Sequence, residues 1–170
     1  MEIFGGVPFI VENGGAVYLP SKFFSFSIEE EVPHSQISNN GLFTKIEFGR
    51  PYREVRTALY TTAKNVGVKV TGIGDMSDEE FARDSGLTLE AACLATKREY
   101  QEGFKIGVDR KKLKEASVAL EKEINEMGFF MSRGGRYFQI MGSPAKVQAV
   151  QTLISLYKKT VSKHLHRRDR

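Results

Sequence analysis

The sequence predicts an α/β chain in which one compact α+β domain is inserted between two pieces of different character. Three observations predict it. From about residue 43 to 132, strand-like and helix-like patterns alternate. The chain opens on a short, continuously apolar run, Val7-Pro8-Phe9-Ile10-Val11, the pattern of a strand buried on both faces of a parallel sheet. It closes on a long helical stripe.

The elements follow from local signals. Glu12-Asn13-Gly14-Gly15 breaks the first strand, and Ala16-Val17-Tyr18-Leu19 is a second short one. Residues 20–41 read as a long polar loop, with Pro20, Pro33, Asn39, Asn40 and Gly41. Phe43 to Phe48 alternates polar and apolar positions, which predicts a half-exposed strand. Pro51 suits a first helical turn; Val55, Leu59, Thr62, Ala63 and Val66 then recur at helical spacing until Gly67. Val68 to Thr71 is a strand. Ser77 with Glu80 three residues on forms a capping box, opening helices at about 77–84 and 88–96. Glu99 to Ile106 is a strand, and Leu113, Ala116, Leu120, Ile124 and Met127 stripe a helix ended by Gly128. Phe129–Met131 and Tyr137–Ile140 are strands joined by Arg133-Gly134-Gly135. From Pro144, Val147, Val150, Leu153, Ile154, Tyr157 and Val161 mark the last helix. Phe43, Phe48, Leu59, Val68, Leu113, Leu120, Ile124, Phe130 and Ile140 are the expected core.

Composition narrows the function. With 41% apolar and 27% charged residues, the chain has a globular balance. No apolar run is long enough to predict a membrane span, and Met1 to Gly6 lacks the features of a signal peptide. The single cysteine, Cys93, excludes an internal disulfide and a thiolate zinc site, and a reducing, cytoplasmic setting is the expectation. The net charge of +4 belongs to residues 158–170, where six cations face Asp169; the rest of the chain sums to −1. A basic tail without aromatics between its cations predicts no nucleic-acid partner. His164 and His166, two apart in that tail, are a poor helical ligand pair.

Four patches carry a resemblance. Pro8-Phe9-Ile10-Val11-Glu12-Asn13-Gly14-Gly15-Ala16-Val17-Tyr18 resembles the signature of the haloacid dehalogenase-type phosphatases with a large inserted cap. Arg98-Glu99-Tyr100-Gln101-Glu102 and Gly135-Arg136-Tyr137-Phe138 are similar to cap motifs of one branch, the mannosyl-3-phosphoglycerate phosphatases, and Met141 to Lys146 to that branch's return into the core. The resemblance implies partial segments of a doubly wound core at 1–20 and 142–170, around a cap at 21–141 with a mixed or antiparallel sheet and helices on one face. It implies a magnesium-dependent phosphatase that passes phosphoryl through an aspartate to water, with a phosphorylated sugar-glycerate as substrate.

Lys146 is the catalytic candidate that the resemblance offers, an ammonium aimed at phosphate; the alternative is a solvated lysine. Asn13 and Gly14, just past a buried strand, lie where open α/β sheets hold ligands; a plain tight turn is the other reading. Arg98 suits a carboxylate, and Glu99 and Glu102 suit sugar hydroxyls; a surface ion pair on the sheet is the alternative. Arg136, after two glycines, reads equally as an anion contact or a solvated turn residue. No Asp-x-Asp nucleophile motif occurs anywhere in the sequence. Gly74-Asp75-Met76-Ser77-Asp78 imitates an acidic metal motif, but its acids read more simply as first-turn carboxylates of a helix, so no metal ligands are assigned. The chain is therefore expected to be truncated at both ends and inactive alone. It is expected to self-associate through exposed core-facing surfaces, namely strand 7–11 and the stripe Val150, Leu153, Ile154 and Tyr157. The alternative is a non-catalytic cap that binds an anionic sugar or a protein partner.

Overall fold

A computed structural model describes residues 6–32, 36–142 and 145–168, with side chains on the last helix described as far as Ser162; His164, His166 and the rest of the basic tail lie outside those side chains. The chain divides into two compact units. The first, Met1–Gly49 with Pro144–Arg170, holds β1 (Phe9–Val11), β2 (Ala16–Pro20), β3 (Gln36–Asn39), β4 (Phe43–Glu47) and, at the chain's end, the long helix Lys146–Arg168. The second, Arg50–Ser143, holds α1 (Tyr52–Val66), β5 (Val70–Gly72), α2 (Asp78–Ser85), α3 (Leu89–Ala95), β6 (Gln101–Ile106), α4 (Leu113–Glu126), β7 (Phe130–Arg133) and β8 (Phe138–Met141). The long helix is then α5. Among the described residues no helix is long and apolar enough to cross a membrane.

The first unit is an antiparallel sheet, ordered β1-β2-β4-β3, with α5 against one face. Val17, Leu19 and Ile46 point into its core and meet Ala149 and Leu156 of α5. On the other face Phe9 stacks on Tyr18 at 5.2 Å, and Phe43 meets both rings edge-on at 5.8 and 6.0 Å. Strand β1 pairs antiparallel with β2, Phe9 with Tyr18 and Val11 with Ala16, because the turn at Glu12–Gly14 folds the chain straight back. It lies half-buried at the edge of the described sheet, in line with the expectation that strand 7–11 is poorly covered. Two expectations are corrected here. Strand Phe43–Glu47 belongs to this sheet rather than to that of the second unit. The loop 20–41 contains β3 and buries Phe24, Ile28 and Val32, so its apolar residues, not its prolines, decide its packing.

The second unit follows its sequence signals closely. Its sheet is antiparallel, in the order β5-β6-β8-β7. Helix α1 buries Val55, Ala58, Leu59, Thr62 and Ala63 on one stripe and stops at Gly67, whose φ of 75° suits glycine and whose N–H donates to Ala63 and Lys64 carbonyls. Helix α4 buries Leu120 and Ile124, and both helices pack on the face that carries Phe104, Ile106, Phe138 and Ile140. The capping box forms as predicted: Glu80 N–H donates to Ser77 Oγ while the Glu80 carboxylate accepts Ser77 N–H. The pair α2–α3 adds a smaller cluster, Ile73, Phe81 and Ala92, with Tyr137 against it. Gly103 permits this packing, because a Cβ there would stand 2.5 Å from Ile73 Cδ1. Two expected core residues are displaced: Phe43 is half-buried on the outer face of the first sheet, and in the second unit Phe130 is 42% exposed while Phe129 takes the core place at 5%. Alternation along an edge strand puts neighbouring side chains on opposite faces, so a one-residue offset exchanges them.

Candidate functional site

The candidate residues fall in two places, one in each unit. In the first unit, the turn between β1 and β2 holds three successive residues at positive φ: Glu12 at 46°, Asn13 at 55° and Gly14 at 94°. Such conformations cost non-glycine residues about 1–3 kcal/mol and collect at ligand sites. Gly14 is required for a second reason. A Cβ on it would lie 2.4 Å from the backbone N of Lys146 and 2.6 Å from the Ala145 carbonyl carbon. The bare glycine thus seats the first turn of α5 on the Glu-Asn-Gly turn. Three predicted site residues, Asn13, Gly14 and Lys146, are brought together across more than a hundred residues of chain. The Lys146 side chain is exposed. Lys146 is the first residue of α5, at the positive end of that helix, where anionic oxygen is favoured.

In the second unit, Glu102 is fully buried. Its carboxylate accepts Tyr52 Oη at 2.6 Å and Arg56 Nη1 at 2.7 Å on one oxygen, and the N–H groups of Ile73 at 3.1 Å and Gly74 at 3.4 Å on the other. Four donors leave it the character of an internal anchor. Arg56 also donates from Nη2 to Asp75 at 2.5 Å, and Asp75 accepts Gly72 N–H at 2.7 Å and the Tyr60 hydroxyl. Burial would raise the Asp75 carboxyl, but the bonds from Tyr60, Arg56 and Gly72 outweigh it and hold it below its usual range. Burial and the bond to Glu102 push Tyr52 up to about 12; burial and Asp75 do the same for Tyr60. Arg56 is held above its ordinary value because its acidic partners outweigh burial.

Asp75 is a first-turn acid, but of the short 3-10 helix Ile73–Asp75 that precedes α2, where it accepts Gly72 N–H, and both its oxygens are engaged. Asp78 opens α2 and accepts Thr96 Oγ1 at 2.9 Å. Among the described residues no group of three or more His, Cys, Asp or Glu could hold a metal ion. With both Asp75 oxygens already accepting from Arg56, Gly72 and Tyr60, Asp75 and Asp78 do not fit magnesium.

Arg98 is half-buried. Its Nε has no exposed surface and no hydrogen-bond partner among the described residues. Glu99 is exposed and accepts the Tyr100 hydroxyl at 3.3 Å. Strand β6 starts only at Gln101, so residues 98–100 do not form the shared strand face that an extended reading gives them. Arg136 lies elsewhere. It donates to the Asp84 carbonyl at 2.7 Å, capping the end of α2, beside the Lys105–Asp84 pair and the Tyr137 hydroxyl that also donates to Asp84. The register places Gln101 beside Met141 and Phe104 beside Phe138, so the turn carrying Arg136 and the segment carrying Arg98 sit at opposite ends of the sheet. Four strand residues alone span about 13 Å.

The network missed by sequence reasoning is Tyr52–Arg56–Tyr60 with Asp75. Its signal was a four-residue spacing on the polar side of α1; its link to Glu102, 46 residues away, had none.

No protein-family model matches the chain. Curated relatives do, and they define a class, phosphatases of phosphorylated glycosyl-glycerates. The chain is 36% identical over 151 residues to a glucosyl-3-phosphoglycerate/mannosyl-3-phosphoglycerate phosphatase of Methanococcoides burtonii. It is 34% identical over 152 residues to a protein of the same name from Persephonella marina, and 33% over 152 residues to a mannosyl-3-phosphoglycerate phosphatase of Pyrococcus furiosus. Each similarity takes in 89% of this chain but only 52%, 51% and 56% of the relatives, so the chain spans about half their length. The resemblance to the mannosyl-3-phosphoglycerate phosphatases read from the four sequence patches is borne out across nearly the whole chain.

Proposed function

We propose that this chain supplies the phosphate-facing lysine and the substrate-orienting part of a sugar-phosphate phosphatase acting on mannosyl- or glucosyl-3-phosphoglycerate. One observation carries the reading. In a chain similar to phosphatases of those names, Gly14 brings Lys146 and the start of α5 onto the strained Glu-Asn-Gly turn. There Lys146 offsets phosphate charge as it develops on the leaving and transferring oxygens. Arg98, with its Nε lacking an acceptor among the described residues, is the group we assign to the glycerate carboxylate. Glu102 positions the 73–74 turn rather than binding sugar, and Glu99 is the acid left to accept a sugar hydroxyl.

The attack on phosphorus needs a carboxylate nucleophile, for which this sequence has no Asp-x-Asp. Orientation without a nucleophile gives no turnover. The chain alone is thus expected to bind a glycosyl-3-phosphoglycerate without releasing phosphate, with or without magnesium. The test joins two measurements, a phosphate-release assay with a binding titration on the chain, and the same assay on the Methanococcoides burtonii relative carrying this chain in place of its matching stretch. A folded chimera that turns over supports the reading; a folded, inert one overturns it. Magnesium-dependent turnover by the chain alone would overturn the division of labour.

A further inference from the structure

The dipeptide Asn-Gly occurs twice in the chain, at Asn13-Gly14 and at Asn40-Gly41. It carries a reaction of its own: the glycine nitrogen, with no Cβ beside it to obstruct the approach, attacks the asparagine side-chain carbonyl. The fold treats the two copies differently. Asn13 is held at φ 55° and ψ 31° inside the turn Glu12–Gly14, and Gly14 is buried with no room for a Cβ before the Lys146 backbone. Bringing the Gly14 nitrogen over the Asn13 side chain rotates the peptide between them and drives Gly14 into the first turn of α5. Asn40-Gly41 sits instead at the exposed tip of the hairpin that joins β3 to β4. Nothing lies within 4 Å of where a Gly41 Cβ would stand, so that peptide has open space to rotate into. The Asn40 side chain is also activated. Its Oδ1 accepts Phe43 N–H at 2.8 Å and Leu42 N–H at 3.1 Å. The two donors polarise the carbonyl, and they stand where negative charge collects on that oxygen when nitrogen adds to Cγ, as in an oxyanion hole. One contact acts as a brake: Asn39 Oδ1 accepts the Gly41 N–H at 2.8 Å and must release it first.

We infer that Asn40 is a site of spontaneous deamidation and that Asn13, in the same dipeptide, is protected by the fold. The Gly41 nitrogen forms a bond to Asn40 Cγ, its proton passes through water to the departing amide, and ammonia leaves a cyclic imide behind. Water then adds across one of the two C–N bonds of the imide. Breaking the bond at Cγ gives aspartate. Breaking the bond at the main-chain carbonyl gives isoaspartate, which puts an extra carbon into the chain. Either product adds a negative charge at the hairpin tip. Isoaspartate also displaces Gly41 and Leu42, whose carbonyls accept Ser21 Oγ at 2.7 Å and Ser21 N–H at 2.9 Å. The tip then loses its tie to the end of β2. The inference does not depend on the phosphatase reading.

Peptide mapping by mass spectrometry tests it, on the folded chain held in warm, mildly alkaline buffer, with isoaspartate counted by enzymatic methylation. The peptide containing Asn40 should convert at least tenfold faster than the peptide containing Asn13, to a mixture that includes isoaspartate. In urea, where only the shared dipeptide is left, the two rates should converge. Asn39→Ala, which frees the Gly41 N–H, should speed the conversion at Asn40 while the far-UV circular dichroism stays that of the parent. Equal rates in the folded chain, or conversion first at Asn13, overturns the inference. A tenfold difference that persists in urea overturns the part assigned to the fold. A slower conversion in Asn39→Ala overturns the role given to the Asn39 bond.

Discussion

The two units treat their apolar residues differently. The second unit closes its own core: α1 and α4 cover one sheet face, and Val55, Leu59, Phe104, Leu120, Ile124 and Ile140 are buried together. The first unit spends a long helix on a small sheet. Ala149 and Leu156 are buried, while a second apolar stripe of the same helix stays in water. A segment whose hydrophobic complement lies close in sequence completes itself. Helix α5 instead leaves a second apolar stripe exposed among the described residues.

The sharpest way to break this comparison is inside the second core. Phe129 is 5% exposed, with the Arg50 guanidinium 4.6 Å above its ring, whereas Phe130 is 42% exposed. Phe129→Ala should cost about 3–5 kcal/mol by urea unfolding, and Phe130→Ala within about 0.5 kcal/mol. Equal costs would mean that the edge strand β7 is read one residue out of register. Glu102→Ala should fall in a similar range, about 3–5 kcal/mol, because it leaves Arg56 Nη1, the Tyr52 hydroxyl and two backbone N–H groups without their acceptor. Glu102→Gln, which keeps shape and acceptor, should lose less. A near-neutral Glu102→Ala would return that residue to a substrate-facing role.

These pairs also show how far the sequence reaches. Helix α1 with its Gly67 stop, the Ser77–Glu80 capping box and the turn into β8 were legible because each signal sits within a few residues of its effect. Strand β1 was legible as a strand, but its antiparallel pairing with β2 was not, because a continuous apolar run reads the same in either kind of sheet. Phe129 and Phe130 are adjacent and chemically equal, and only pairing register separates them. In the site, Asn13, Gly14 and Lys146 were each legible as motif members, but that Gly14 lies against the Lys146 backbone is a fact of folding. Arg56, Asp75 and Glu102 are joined across 19 and 46 residues, beyond any local pattern.

In the first unit the comparison sharpens at Gly14. Gly14→Ala meets both a φ of 94° and the α5 backbone. It should destabilise that unit by about 1–3 kcal/mol and speed hydrogen exchange in the first turns of α5, while α1 and α4 keep their protection. Faster exchange in all three helices would show that the units do not unfold separately.

The smallest effect expected is a dependence on pH centred on the second unit, since the shifted carboxylate of the first, Glu29, is exposed on its surface. Asp75 is held below the usual carboxylate range in the fold, and so is Asp84, by its bonds from Lys105 and Tyr137. Groups with depressed folded pKa values stabilise above the unfolded value, near 4, and that contribution fades as pH falls through the folded one. Tyr52, Tyr60 and Tyr137 shift the other way, to about 12, through burial and their acidic acceptors Glu102, Asp75 and Asp84. Their stabilisation is complete below the unfolded value of about 10 and is lost as pH rises from there toward 12. The second unit should therefore weaken at both extremes. Tyr60→Phe should flatten the alkaline limb of its unfolding curve and Asp75→Asn the acid limb, each at some loss of stability at neutral pH. An alkaline limb unmoved by Tyr60→Phe would show that the Tyr60–Asp75 bond carries no stability. A limb of equal size in the α5 exchange rates would remove the distinction between the units.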